Sequence, residues 1–222
     1  FRRGLDLLLD GGIKVRLKAM ALRSNVHELS EIAAFCRERT ADFYRFDPLL
    51  HLRYDGDPAR NREIRSERLS PAEIVAIEQA DDKRARALEK GCEHFIFPAY
   101  HGEVCNHLFH CGAGDSSFTV SYDGVFRLCP DLWHPACIYD LRQGSLAEAW
   151  HDLVPRVRDM RSASAEFLRR CRRCPIINLC LWCPAHAHLE TGELDGFSEY
   201  FCQVAHARAE ALAHKATPAG AR

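Results

Sequence analysis

Cys171-Arg-Arg-Cys174-Pro-Ile-Ile-Asn-Leu-Cys180-Leu-Trp-Cys183 places four thiols within thirteen residues, and Cys202 answers them after a further eighteen. Thiolates this dense are either a disulfide framework or soft ligands for zinc or iron, because a soft anion prefers borderline or soft cations. A Cys-x2-Cys pair holds two sulfurs on one tight turn facing a common centre. That suits a tetrahedral ion or one corner of a cluster and suits a disulfide badly. The stretch reads as a metal site, and the rest of the chain as what surrounds it.

With 222 residues the chain has room for one or two domains with a real core, so it does not need disulfides to compensate for a small interior. Its 30 basic and 31 acidic residues nearly cancel, which gives no electrostatic case for nucleic acid or an anionic membrane as a partner. No apolar run approaches about twenty residues, and no signal peptide is visible. The expectation is a cytoplasmic, reducing setting, in which eleven cysteines point to metal rather than cystine. The sequence opens on Phe1 and enters helical pattern at once, with Phe1, Leu5, Leu8 and Leu9 on one face and Gly11-Gly12 closing it. It reads as the later part of a larger protein.

From Ile13 to Ala21 apolar and charged residues alternate with the period of a strand. Asn25 with Glu28 three residues on predicts a capped helix whose inner face is Leu29, Ile32, Ala33 and Cys36. Phe43 to Phe46 reads as a second strand, stopped by Asp47-Pro48. Helix, strand, helix, strand in about fifty residues predicts parallel α/β units. Leu49 to Leu69 turns polar and reads as a linker or exposed loop. Ser70-Pro71-Ala72-Glu73 combines an N-cap, a first-turn proline and a capping-box glutamate, for a linker helix running to about Gly91. Ser117 to Cys129 reads as a hairpin turned by Asp123-Gly124 as a type I′ pair. Gly144 to Trp150 opens a capped helix, Ser162 to Arg170 leads into the thiol-dense stretch, and a last helix from about Glu199 to His214 carries Cys202 near its start. The fold class is α/β followed by α+β: residues 1–69, a linker helix over 70–98, a cysteine-bearing domain over 99–215 and a frayed tail over 216–222.

Eight thiols fall in order: Cys105-x5-Cys111, x12-Gly124-x4-Cys129, Cys171-x2-Cys174-x5-Cys180-x2-Cys183, then Cys202. This order resembles the SPASM extension of radical S-adenosylmethionine (SAM) enzymes, whose pattern is Cys-x9–15-Gly-x4-Cys, a gap, Cys-x2-Cys-x5-Cys-x3-Cys, a gap and a last Cys. Cys105 matches the extra upstream ligand of the sulfatase-maturating members, and Gly144, Leu146 and Trp150 look like the helix that follows the hairpin. The likeness covers Cys105 to Cys202, while Gly12 to Gly56 looks like the tail of the partial (β/α)6 barrel that precedes it. One departure is Cys180-x2-Cys183 in place of x3. A larger one is that the sequence holds no Cys-x3-Cys-x2-Cys, the loop that carries the SAM-binding cluster in such enzymes.

Carried over by position, the resemblance implies two auxiliary 4Fe–4S clusters that staple hairpin, loop and terminal helix together. The first takes Cys105, Cys111, Cys129 and Cys183, the second Cys171, Cys174, Cys180 and Cys202. It further implies a parent enzyme that modifies a peptide or protein substrate, with SAM and a third cluster held by ligands not in this chain. An electron donor and a peptide-recognition domain would be its partners, and this segment alone would be inert. Arg16, Lys18 and Arg45 would face the barrel interior or form structural salt bridges. Against this stands one closed zinc site made by the two Cys-x2-Cys pairs, in a non-catalytic module that binds a partner or passes electrons. Cys36 reads as a core residue, and Cys92 and Cys137 fit neither quartet. Arg169, Arg170, Arg172 and Arg173 read as solvated, His186 and His188 as bystanders. Asp131 is the one candidate for a base beside the first cluster, with loop capping as its ordinary reading.

Overall fold

The computed structural model describes residues 1–40, 45–95, 105–180 and 182–216. The strand expected at Phe43 and Tyr44 and the tail from 217 lie outside the described residues, as do the side chains of Arg45 and Cys92. The chain divides into two compact units, Phe1–Leu50 with Pro58–Leu69, and His51–Asp57 with Ser70 onward.

The first unit contains α1 (Arg2–Asp10), β1 (Lys18–Met20), α2 (Leu29–Arg39), β2 (Arg45–Asp47) and α3 (Pro58–Glu67). β1 and β2 are parallel, with Lys18 opposite Arg45 and Met20 opposite Asp47, and α2 is the crossover that parallel strands require. This is one βαβ unit, and the strand expected over nine residues is three long. α1 buries Leu5 alone, while Phe1 and Leu8 stay exposed. Asn25 does not cap α2: its Oδ1 accepts from Leu22 N and its Nδ2 donates to Met20 O. Those bonds brace the loop into a 3₁₀ turn at Val26–Glu28, and the α-helix starts after it at Leu29. Leu29, Ala33 and Cys36 form its buried face as the pattern predicts.

The polar stretch read as a linker is in large part helix. α3 begins at Pro58, a proline suited to a first turn, and its Arg60 pairs with Glu63 at 2.9 Å. Its end is tied down. Arg23 N and Ser24 N donate to Glu67, and buried Arg68 donates twice to Leu50 O. Lys18 pairs with Asp47 at 2.9 Å, the salt-bridge alternative for that strand position. Arg16 and Lys18 also line a cleft of about 710 Å³ with Glu28 and Glu31.

The second unit opens with the Ser70 capping box, both of whose bonds form. The helix it starts breaks at Asp81, whose extended backbone separates α4 (Pro71–Ala80) from α5 (Asp82–Phe95) and whose side chain accepts from Arg84 N. A three-stranded antiparallel sheet follows: β3 (Thr119–Val120), β4 (Val125–Arg127) and a third strand, β5 (Ile138–Asp140), that the sequence did not announce. The hairpin loop is one residue longer than a type I′ pair. Gly124 N–H donates to Ser121 O, so Tyr122 and Asp123 are the central residues and Gly124 follows at φ 82°, as in a loop closed by a glycine bulge.

Beyond the sheet, the Ser145 capping box starts a continuous helical run, α6 (Leu146–Glu148), a π-turn at Ala149–Leu153 and α7 (Val154–Arg158). The wide turn lies just before Pro155, which has no N–H for a regular bond to His151. α8 (Ala165–Arg170), α9 (Ile177–Cys180), α10 (Pro184–Thr191) and α11 (Glu199–Ala216) complete the unit. Phe126, Leu128, Leu132, Cys137, Leu153, Val157 and Phe167 make its core, all buried to within a few per cent. Burying each large side chain stabilises the fold by about 1.5–3 kcal/mol. A second, smaller cluster of Ile176, Leu179 and Ala205 lies under α9 and α11.

Candidate metal centre

Four of the thiols sit where α8, α9 and α11 meet. Cys171 ends α8, its N–H bonded to Phe167 O, and Cys174 follows on one tight turn, its N–H 3.0 Å from Cys171 O. Cys180 ends α9 and Cys202 lies in the first turn of α11. Burial pushes Cys180 up to about 12, and Cys171, Cys174 and Cys202 push the same way. Burial likewise takes Cys171 up to about 11, with Cys202 and Cys174 contributing. Cys202 is raised by burial and by Cys174. Cys180 thus feels the charge of the other three, and Cys171 and Cys202 that of Cys174.

What holds these helices in place is a buried ion pair. Glu78 of α4 accepts from Arg208 of α11 at 2.9 and 2.7 Å, and Arg208 also donates to Leu179 O of α9 at 3.1 Å. Arg84 adds a third bond to Glu78 at 2.9 Å. The residue after Leu179 is Cys180, so the pair sets the height of α9 against α11 and with it the separation of Cys180 from Cys202. Sequence reading missed this. Its only signal was a charged residue on each of two helical faces, 130 residues apart.

Cys111, Cys129 and Cys183 form another group. Cys129 follows β4 and Cys183 is the N-cap of α10. Burial raises Cys129, with Asp131 and Cys111 adding to it, and burial takes Cys183 up to about 11, with Cys129 and Cys111 contributing. Cys105 keeps other company. Its Sγ lies 2.8 Å from His107 Nδ1, and His107 Nε2 is 3.0 Å from Asp159 Oδ1. His107 and Arg172, not another thiol, move it, and they bring it down to about 7.

Among the described residues no three Cys, His, Asp or Glu close into a set that would hold a metal ion as they stand. The donor set nonetheless fits an iron–sulfur group. All the grouped donors are soft sulfur, and mutual repulsion among thiolates is what a central cation reverses. Buried Arg127, at 3 % exposure, has Nε and Nη1 without a hydrogen-bond partner, a cationic orphan close to Cys129. Residues 111–175 match the SPASM family model, described as an iron–sulfur cluster-binding domain. The match contains Cys111, Cys129, Cys171 and Cys174; Cys105, Cys180, Cys183 and Cys202 lie outside it. The SPASM stretch thus marks this part of the chain as an iron–sulfur binding module. No curated protein matches the chain.

Other expected residues also have their places. Arg172 is buried, against its solvated reading, because Nε donates to Cys105 O at 2.6 Å and Nη2 meets His110. Arg170 pairs with Glu166 and lies 3.9 Å over the Phe197 ring. Asp131 pairs with His186 at 3.5 Å, and the His186 ring stacks on His51 at 3.6 Å, so neither is a bystander. His186 is the main reason the Asp131 carboxyl is held below the usual carboxylate range. Cys137 is fully buried and held up to about 12 by its apolar surroundings. No helix among the described residues is long and apolar enough to cross a membrane.

Proposed function

We propose that this chain is the C-terminal part of a radical SAM/SPASM enzyme that modifies a peptide or protein, and that it holds two auxiliary 4Fe–4S clusters. The observation that carries the reading is the division of the thiols. Cys180 is raised by Cys171, Cys174 and Cys202, Cys183 is raised by Cys129 and Cys111, neither set acts on the other, and the SPASM match includes members of both. A single four-thiolate zinc site would need Cys183 beside Cys171, Cys174 and Cys180. Bound clusters would supply one-electron acceptance and donation close to the substrate.

The chain's own residues hold, shield and orient. Trp182 and Phe167 pack at 4.5 Å against the core that carries Cys129, Cys171 and Cys183, which keeps water from that side. A cleft of about 770 Å³ is lined by Asn106, Arg161, Arg169 and Arg173 together with Cys105, and Leu168 provides an apolar wall. Arg169 and Arg173 have no hydrogen-bond partner among the described residues, so they are available to a carboxylate of a bound peptide. Cys105 completes the first quartet in this proposal by leaving His107 for iron.

The test is metal content. Protein prepared without oxygen is expected to be brown, absorb near roughly 400 nm and carry about eight iron per chain by the two-quartet count. Colourless protein with one zinc overturns the reading in favour of a stapled binding module. With dithionite and SAM this segment is expected to give no 5′-deoxyadenosine above background, since the sequence holds no Cys-x3-Cys-x2-Cys.

A further inference from the structure

Arg127 ends β4, the central strand of its sheet, directly opposite Thr119 and Ile138, at a position where a strand facing a core carries an apolar residue. It is as buried as the Phe126 and Leu128 that flank it. Its guanidinium lies 3.4 Å over the Trp133 ring, which in turn stacks on Tyr54 at 3.8 Å. The ring face satisfies part of the cation, but Nε and Nη1 are buried and bond to nothing. A buried, unpaired charge costs several kcal/mol, and an arginine does not escape by losing its proton.

The acidic groups within electrostatic reach are Asp123, Cys129, Tyr54 and Asp131, of which Tyr54 is the exposed phenol stacked on Trp133. Both carboxylates are exposed, and neither hydrogen-bonds to Arg127, so water screens them. Cys129 is the half-buried one, and it belongs to the group with Cys111 and Cys183. The Trp133 face fixes the guanidinium in place, two residues before Cys129 along the chain.

We infer that Arg127 is the built-in counter-charge of the first cluster, stabilising its reduced, more negative state against the oxidised one. The inference rests on the two-cluster reading. It assigns β4 two tasks: the strand delivers Cys129 as a ligand, and two residues earlier it delivers the cation that offsets the net negative charge of a thiolate-ligated cluster. Among the described residues the buried guanidiniums beside the second group are already hydrogen-bonded, Arg172 to Cys105 O and Arg208 to Glu78. The two clusters of one domain are thereby made unequal, the first being easier to reduce than its ligands alone would make it.

The experiment is a redox titration followed by electron paramagnetic resonance on the iron-loaded full chain, with the first cluster assigned by its loss in Cys129→Ala. In Arg127→Met the first cluster is expected to become harder to reduce, its oxidised-to-reduced ratio at a given potential rising on the order of tenfold, as for one charge lost at about 10 Å. The second cluster should not move. Arg127→Lys should restore most of the ratio because it keeps the charge. An unchanged first cluster in Arg127→Met, equal shifts in both clusters, or a lysine variant that behaves like the methionine one each overturns the inference. If Arg127→Met retains only the second cluster while Arg127→Lys retains both, the charge is confirmed as what the first cluster needs; loss from both variants assigns Arg127 a packing role instead and overturns it. Wild-type protein that shows fewer than two clusters sinks the two-cluster reading, and this inference with it, before any variant is compared.

Discussion

Glu78→Gln is the most informative single change in the second unit. Glu78 and Arg208 are 2 % and 5 % exposed at their side chains, and their two hydrogen bonds of 2.9 and 2.7 Å are both charge-assisted. The glutamine keeps the volume and one acceptor but leaves Arg208 a buried cation, and breaking a buried pair from one side costs about 3–5 kcal/mol. Against a total stability of about 5–15 kcal/mol that is a large share. The exposed Arg60–Glu63 pair is the internal control, since such pairs contribute about 0–1 kcal/mol. Urea unfolding of the iron-loaded chain under argon, followed by circular dichroism, should show the Glu78→Gln midpoint well below wild type and Glu63→Gln close to it. Iron retained at moderate urea should fall toward half, because only the Cys171, Cys174, Cys180, Cys202 group depends on α11 and α9. Glu78→Leu combined with Arg208→Leu should recover most of the loss, because it removes both buried charges together. A loss of less than about 1 kcal/mol for Glu78→Gln, no larger than the control, would refute the claim that this pair positions the helices.

Other outcomes follow from the same contacts. Cys171→Ala, Cys174→Ala, Cys180→Ala or Cys202→Ala should each remove about half the iron and lower soluble yield, while Cys36→Ala and Cys137→Ala should leave iron unchanged in the same assay. Cys105→Ala should lose iron from the first group only; full iron in that variant would return Cys105 to its hydrogen bond with His107. Gly114→Ala should destabilise by about 1–3 kcal/mol in urea, since a Cβ there meets Leu128 at 2.8 Å on a backbone at φ 75°. Asp140 is held at about 2 by Arg142, below its ordinary 3.8, so its stabilising share is present above pH 4 and fades as pH falls toward 2. Asp140→Asn should therefore flatten the stability curve in that window, and an unchanged curve there would show the pair to be inert.

What the sequence made legible was local. The Ser70 and Ser145 capping boxes form as spelled out, because their partners are three residues away and need no tertiary help. The hairpin was legible for the same reason, though Gly124 turned out to close the loop rather than sit in its centre. α3 hid inside a polar stretch because charge was read as a linker or exposed loop, although Pro58, Ala59 and the Arg–Glu spacing are good helix material. β5 is three residues long and is called into being by the edge of β4, which no periodicity reports. Arg127, Arg172 and Glu78 were read as surface or not read at all, because a buried charge is recognisable only once its partner, distant in sequence, is known.

The proposed division of the thiols turns on long-range packing that a short motif does not report. Two Cys-x2-Cys pairs invite the reading that each pair faces one centre, and Cys171 and Cys174 do sit on one tight backbone turn. Cys180 and Cys183 have the same spacing, yet the proposed quartets assign them to different clusters. The reason lies between them: Trp182 packs on Phe167 at 4.5 Å and its Nε1–H donates to Gly196 O at 3.2 Å. A half-buried indole packed on the core with its N–H satisfied is expensive to move, so it anchors the chain ahead of Cys183. Cys180 is left at the end of α9 under α11, and Cys183 is carried over to cap α10 against the core that holds Cys129. In the two-cluster reading we propose, that one side chain between two cysteines is what makes thirteen residues serve two metal centres rather than one.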